Sequence, residues 1–341
     1  TANLSLNHSS KDGKFTVNAL ANYGITQSDL FSSANFVATA LNLPPNAPAL
    51  YNEDGSLNWA ASSWTNPVAI LESDSENSTK TLVSNLNLEY NILPGLSLKS
   101  NFGYTTLDND NVNLLPIQIS DPAIWNRVSN RSQHSQSNRE SWSIEPQLNY
   151  ATDIGTHHLD LILGTTFQRN SNHQVNLSAT GYANRHLIGN LNAADAVSVI
   201  ADQDVIYKYQ AVFARVGYNL EKTYFINLTG RRDGSSRFGT NKRFANFGAI
   251  GMGWIFTQNS FISDHLGFLN FGKLRASYGI TGNDQIGDYR YLNTYEATPG
   301  PGGLYPTRLT NPVFSWESNK KLEAAIELGF FDNVLSMDFS W

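Results

Sequence analysis

Residues 81–105 read TLVSNLNLEYNILPGLSLKSNFGYT, and this stretch decides the fold. Leu82, Ser84, Leu86, Leu88, Tyr90 and Ile92 alternate with Thr81, Val83, Asn85, Asn87, Glu89 and Asn91. One side is apolar and the other almost wholly polar. That is the two-residue period of a strand, whose successive side chains point to opposite faces. Leu93-Pro94-Gly95 follows as a tight turn. The return arm alternates again, with Leu96, Leu98, Phe102 and Tyr104 opposed to Ser97, Lys99, Asn101 and Thr105. Each arm holds about a dozen residues, well beyond the ~5–6 of an ordinary strand.

Working outward, the same period returns. It runs through Phe15–Tyr23, Trp142–Tyr150, Leu159–Phe167 and Val212–Leu220, and from Ala324 to Trp341. Strands near 223–232, 243–256 and 268–280 alternate less cleanly, and the pattern predicts about twelve strands in all. Short turns fall at Lys11-Asp12-Gly13, Leu93-Pro94-Gly95, Thr152–Thr156, Glu221-Lys222 and Asp332-Asn333. Long polar loops are predicted between them at 24–80, 107–139, 169–206 and 281–320, with medium connectors at 233–242 and 257–267. Connections that alternate short and long fit an all-β, antiparallel, up-and-down transmembrane β-barrel. Strands of ~10–12 residues tilted by ~40° cross its ~25 Å apolar band.

The composition narrows the environment. Only 15% of the 341 residues are charged, against about a quarter in soluble domains, while 12% are aromatic. The net charge of −6, with Lys+Arg at 23 against Asp+Glu at 29 and no basic block, excludes a nucleic-acid binder. No run of eighteen apolar residues marks a transmembrane helix. The absence of Cys removes disulfide scaffolds and thiolate metal sites. The polar face is Asn, Ser, Thr and Gly rather than Lys and Glu, which suits the lumen of a wide barrel better than a wetted soluble face. Tyr90, Tyr104, Trp142, Tyr150, Tyr218, Tyr224 and Trp254 lie near strand ends, as interfacial aromatics do. The rival is a secreted β-sandwich or solenoid that binds glycans and buries its apolar face in protein. No nucleophile elbow, phosphate loop, dinucleotide fingerprint or zinc spacing occurs, so the chain reads as no enzyme.

Three stretches carry a family resemblance. The first is Arg231 and Arg232-Asp233-Gly234-Ser235-Ser236-Arg237-Phe238-Gly239. The second is Lys273-Leu274-Arg275-Ala276-Ser277-Tyr278-Gly279, continuing to Gly282-Asn283. The third is Asn311-Pro312, with Trp316-Glu317 following. In this order and spacing they resemble the SusC/RagA family of TonB-linked outer-membrane proteins. The resemblance is strong over 205–341, moderate over 64–205 and weak over 1–63. It implies a barrel of 22 strands that imports large nutrients, glycans or peptides, through the bacterial outer membrane. It also implies a SusD-like surface lipoprotein as lid, and energy from the TonB complex. The family's plug domain and TonB box are absent. Residues 1–341 are therefore expected to be part of a barrel domain, cut from a longer protein. A siderophore or cobalamin receptor is a second expectation within the class, but lacks these motifs.

Candidate residues divide between geometry and contact. Asp233 to Ser236 read as a strand-end corner, with Arg231, Arg232 and Arg237 offered to lumen carboxylates. Gly282–Asp288 and Asp108-Asn109-Asp110-Asn111 resemble polar loops, with a bound calcium as the alternative. His157-His158 cannot pair on one metal, since strand neighbours face opposite ways. Tyr51, Trp59 and Trp64 in loop 24–80, where a short helix is expected near 30–41, and Trp125 in loop 107–139 are candidate contacts for substrate or lid. Packing of loop against loop is the plainer reading of the four.

Overall fold

The computed structural model describes residues 1–31, 36–298, 302–332 and 334–341. Asn333 of the predicted last turn, parts of the predicted loops 24–80 and 281–320, and part of the helix expected near 30–41 lie outside them. The strands are β1 Ala2–Ser9, β2 Phe15–Leu30, β3 Asp74–Leu93, β4 Leu96–Leu115, β5 Asn130–Ile154, β6 His157–Tyr182 and β7 Ala196–Leu220. They continue as β8 Tyr224–Ser235, β9 Phe244–Ile255, β10 Leu269–Asn283, β11 Thr294–Ala297, β12 Leu304–Arg308, β13 Glu317–Phe330 and β14 Leu335–Ser340. Twelve of them form one sheet in the order β1 to β10, then β13, then β14, every pair antiparallel. Strands β11 and β12 form a separate hairpin inside the β10–β13 connection. Two six-residue helices, α1 Phe36–Leu41 and α2 Ser260–His265, sit in connections.

The β3–β4 register pairs Leu86 with Phe102, Tyr90 with Leu98 and Leu93 with Leu96. The two-residue turn needs its glycine. Gly95 has φ +79°, and a Cβ there would stand 2.1 Å from the Ala151 carbonyl oxygen. The Asn77, Asn87 and Asn101 side chains all project to the face opposite Leu86 and Phe102, since side chains alternate along each strand.

Pairing aligns the apolar side chains of different strands into belts. Leu96, Tyr150, Leu161, Val216, Leu228, Ile250, Tyr278 and Leu322 stand side by side on eight successive strands. No protein covers them: Leu163, Val212 and Met252 on the same face are 57%, 56% and 54% exposed. Among the described residues the buried apolar set is small and lies mostly in or beside loops, as with Ala69, Ile188 and Phe238. A sandwich or solenoid would hide this belt in a core. Among the described residues no second layer packs on the twelve-stranded sheet, and that alternative fails. A belt of this extent is at rest only in hydrocarbon. At its short-turn border Tyr224 stacks on Trp254, ring centroids 6.3 Å apart.

The strands correct the predicted loops. Loop 107–139 shrinks because β4 runs on to Leu115 and β5 begins at Asn130. Loop 169–206 shrinks likewise, because β6 runs to Tyr182 and β7 starts at Ala196. Strands β5 and β6 hold 25 and 26 residues, about twice what the bilayer requires. Beyond the membrane both faces meet polar surroundings. The hydropathy alternation fades there while the backbone ladder continues.

The belt makes a direct prediction for the full-length protein. Leu86→Arg, on the belt, should cost ~2–4 kcal/mol near the bilayer midplane. Asn85→Arg, on the other face, should be tolerated. Urea titration of the protein refolded in phospholipid measures both, and equal tolerance would contradict a lipid-facing belt.

Candidate functional site

The long-loop end of the sheet gathers the three motif stretches into one corner. Strand β8 ends at Ser235, whose backbone N–H donates to the Arg243 carbonyl at 3.0 Å. Ser236 is locked to β7: its Oγ accepts from the Lys208 N–H at 2.9 Å and its own N–H donates to the Lys208 carbonyl at 2.9 Å. The chain then turns inward at Arg237 and Phe238.

Arg237 carries the polar half of the corner. Its Nε donates to Asp288 Oδ1 at 3.0 Å, and its Nη1 to the Asp284 carbonyl at 3.0 Å. The guanidinium lies 4.3 Å from the Tyr207 ring centroid, and the Tyr207 hydroxyl donates to Asp284 Oδ2 at 2.7 Å. Burial, and then the Asp284 carboxylate, push the Tyr207 hydroxyl above the usual phenol range. Phe238 carries the apolar half and is 0% exposed. Its ring lies 5.0 Å from Trp316 and 6.3 Å from Phe314, and Phe247 meets Trp316 edge-on at 5.5 Å. Gly282 is required by this packing, since a Cβ there would stand 2.0 Å from the Phe247 ring. Asn283 donates to Glu317 at 2.9 Å, Trp316 Nε1 donates to the Arg243 carbonyl at 3.3 Å, and Asn311 donates its N–H to the Tyr291 carbonyl at 3.2 Å, with Pro312 next in the chain. Gly239 closes the turn by accepting from the Lys242 N–H at 2.9 Å.

The three arginines behave differently. Arg231 donates to Asp233 at 2.5 Å and also bonds Tyr209. Arg237 meets Asp284 and Asp288. Arg232 meets no carboxylate: it sits on the belt side, between Val212 and Asn246, donates to Asn246 at 3.0 Å and covers the Phe244 ring. Gly234, between Gln210 and Phe244, continues β8. Farther down, Leu274 and Tyr278 join the apolar belt, while Gly279 pairs with Ala249 on the opposite face. On that lumen face Arg275 donates to Glu327 at 2.8 Å, with Lys273 at 3.7 Å from the same carboxylate and Arg275 also 3.7 Å from Asp338.

The ion-loop readings change. Asp284 and Asp288 converge on the Arg237 guanidinium, which takes the place a cation would fill. Asp108-Asn109-Asp110-Asn111 is a strand, not a loop. Its aspartates face one way and its asparagines the other, so the four cannot wrap one ion. Among the described residues no three His, Asp or Glu side chains gather as a metal site.

Of the four loop aromatics, the structure brings two together. Trp59 and Trp125 line one cleft of about 530 Å3 between segments 50–72 and 116–125, with Asn58, Gln118 and Asp121 beside them. Tyr51 bridges to Leu57 and is 52% exposed, and Trp64 donates to the Asn58 carbonyl at 3.0 Å, so neither lines the cleft. Sequence reading missed Tyr207 and Phe247, and it named Asp288 and Phe314 without pairing them with Arg237 and Phe238. The nearest signal was the aromatic pair Phe314 and Trp316, two residues apart in the third motif.

Arg237→Ala strands two half-buried carboxylates and should cost about 3–5 kcal/mol locally. Hydrogen exchange over 284–292 should speed at least about tenfold, which corresponds to 1.4 kcal/mol. Arg237→Lys should not restore it, because an ammonium cannot fork between two acceptors and stack on Tyr207. Unchanged exchange would show that the corner is held elsewhere.

With this geometry in hand, comparison with known proteins gives a consistent answer. The family model described as "TonB dependent receptor-like, beta-barrel" matches residues 4–341. TonB-dependent receptor P3 of Formosa agariphila is 28% identical over 98% of this chain, which covers 33% of that protein. TonB-dependent receptor SusC of Bacteroides thetaiotaomicron is 26% identical over 80% of this chain and 27% of its own length. The solved structure of the RagAB peptide transporter superposes with a TM-score of 0.82 at 22% identity, over 99% of this chain and 39% of that one. The chain spans about a third of the length of the curated relatives it matches.

Proposed function

The chain belongs to the TonB dependent receptor-like β-barrel family, and so to the bacterial outer membrane; from that premise we propose that it is of the SusC/RagA type and that the whole protein imports a large nutrient across that membrane. One observation carries the proposal. The same strands present an uncovered apolar belt on one face and an Asn-, Ser- and Thr-rich wall on the other. A wall of this kind holds a wide aqueous passage open inside lipid.

The chemistry is gated passage, with no bond made or broken. Edge strands β1 and β14 cannot face lipid unpaired, so further strands close the barrel, to about 22 by the family resemblance, and a plug fills it. A SusD-like lipoprotein is the partner at the long-loop end, and the TonB complex supplies energy from the other side. The cargo is an oligosaccharide or a peptide, hydrogen-bonded along the wall. The corner at Arg237 and Phe238 fixes the loop that frames the entrance. The cleft between Trp59 and Trp125 is a contact surface for cargo or lid.

Deleting the gene in its own host, with labelled glycan and peptide mixtures supplied, tests the proposal. Uptake of at least one mixture should fall to background, and should fall equally when the inner-membrane TonB complex is disabled. A surface lipoprotein should co-purify with the full-length protein. Undiminished uptake of every mixture in the deletion strain would overturn the import reading.

A further inference from the structure

Where the apolar belt ends on the long-loop side, two cations stand directly opposite each other on the outer wall. Arg169 of β6 pairs with Lys208 of β7, and both are exposed on the same face as Leu163 and Val212. Lys80 and His173, also outward, face carboxylates instead: Lys80 stands across from Asp108, and His173 lies 3.0 Å from Asp204. Arg169 has Trp142 on its other flank, and Lys208 has Ser236 bonded to its backbone. Along their own strands the outward neighbours are Phe167 and Ser171, and Ile206 and Gln210. Glu140 stands diagonal to Arg169, one outward position higher on β5. Even so, among the described residues neither cation forms an ion pair. Like charges facing each other across a strand pair are destabilising, so the sheet gains nothing from this arrangement.

The height of the pair points to its partner. Below Arg169 on β6 come Phe167 and then Leu163, and below Lys208 on β7 come Gln210 and Val212. Leu163 and Val212 belong to the belt. The cations therefore occupy the first level above the hydrocarbon, beside Trp142, where interfacial aromatics mark the headgroup layer. The long loops of such barrels are extracellular. This level is thus the outer leaflet, whose headgroups carry phosphate.

The pair also lines a built cleft of about 690 Å3. That volume lies within the ~300–1,000 Å3 of small-molecule sites and far exceeds one phosphate ion. Among the described residues three cations line it, Arg169, Lys208 and Arg243, and no carboxylate does. Trp142, Phe167 and Phe244 give it an aromatic floor. Gly234 makes room for that floor, since a Cβ there would stand 2.5 Å from the Phe244 ring and 3.3 Å from Gln210 Cγ. Tyr289 and Tyr291 of the β10–β13 connection add a wall above the cations. They are held there because β7 outruns β8, whose last residue Ser235 pairs with Tyr209. The Tyr289 hydroxyl fills the vacant edge, accepting from the Ile206 N–H at 2.8 Å and donating to its carbonyl at 3.3 Å. Asp288, next in the chain, is fixed by Arg237.

Each part of the cleft suits one part of a ligand. A phosphate between Arg169 and Lys208 relieves their repulsion through charge-assisted hydrogen bonds. Acyl chains continue down over Phe167 and Leu163, and sugar rings meet the faces of Tyr289 and Tyr291. A glycerophospholipid has no sugar for the tyrosine wall, and a free phosphate leaves both the wall and the aromatic floor empty. We propose that this cleft on the outer wall binds the phosphorylated sugar headgroup of an outer-leaflet glycolipid, with its phosphate between Arg169 and Lys208. The proposal stands on the lipid-facing belt and is independent of what the protein imports.

The test uses the full-length protein in a non-ionic detergent, with bound lipid counted by native mass spectrometry over a titration. The probes are lipopolysaccharide purified from the host, the same material treated with phosphatase, phosphatidylglycerol, and inorganic phosphate. Intact lipopolysaccharide should bind at least about tenfold tighter than any of the other three, and should weaken as salt rises. Arg169→Gln and Lys208→Gln should each weaken it about tenfold, the loss of one charge-assisted contact. Lys320→Gln removes an exposed outward cation of β13, about 19 Å away across four strand spacings, and should change nothing. Equal binding after phosphatase treatment would overturn the proposal without relying on any variant. Full binding by both Gln variants would overturn it as well. Equal affinity for phosphatidylglycerol would show a general phospholipid contact, and equal affinity for inorganic phosphate a simple anion site, and either result would overturn the glycolipid assignment.

Discussion

Hydrocarbon offers backbone N–H and C=O groups no water, and everything else in this molecule follows from that constraint. A strand satisfies those groups only through its neighbours. A chain that crosses with strands must therefore pair each to the next, and here twelve do so in an unbroken antiparallel run. Once the backbone is fixed this way, the side chains have two solvents and a period of two. Leu86 and Phe102 take the lipid, and Asn87 and Asn101 take the lumen. A slip of one residue would exchange the two sets, so the pattern specifies its own register.

Above the membrane the same ladder serves a different purpose. Lipid no longer demands it, yet β5 and β6 continue for roughly another dozen residues as a wall standing in water. The loops at its rim are tied to it rather than left free. Arg237 joins β7 to the β10–β13 connection through Tyr207, Asp284 and Asp288, and Phe238 does so through Trp316. Long strands and a pinned rim together make a built vestibule.

Much of this was legible in the sequence, and the limits are physical. Residues 81–105 disclosed strand, turn and both faces, because lipid and lumen impose opposite demands on neighbours. The number of strands followed from repeating that reading. The strand extensions did not, because Asp108-Asn109-Asp110-Asn111 has polar residues on both faces and reads as loop. The rim corner was half legible. Its motif residues stood out, but Arg237 reaches Asp288 across 51 residues, and Phe238 stacks on Trp316 from still farther along the chain. No local pattern encodes such a pairing. Arg232 shows the converse: adjacent to Arg231 and alike in type, it faces the opposite way simply because strands alternate.

The central claim is that one face of these strands meets lipid and the other a water-filled passage. Residues 1–341 contain no Cys, so single cysteines can be placed at each position from Leu82 to Ile92 in the full-length protein, with any cysteine outside this stretch replaced by serine. Spin labels there, read in outer-membrane vesicles for collision with oxygen and with a water-soluble nickel chelate, report the solvent of each side chain. Oxygen should dominate at Leu82, Ser84, Leu86, Leu88 and Tyr90, and nickel at Val83, Asn85, Asn87 and Glu89. Uniform collision rates along the strand, or nickel access at Leu86 and Leu88, would contradict the account.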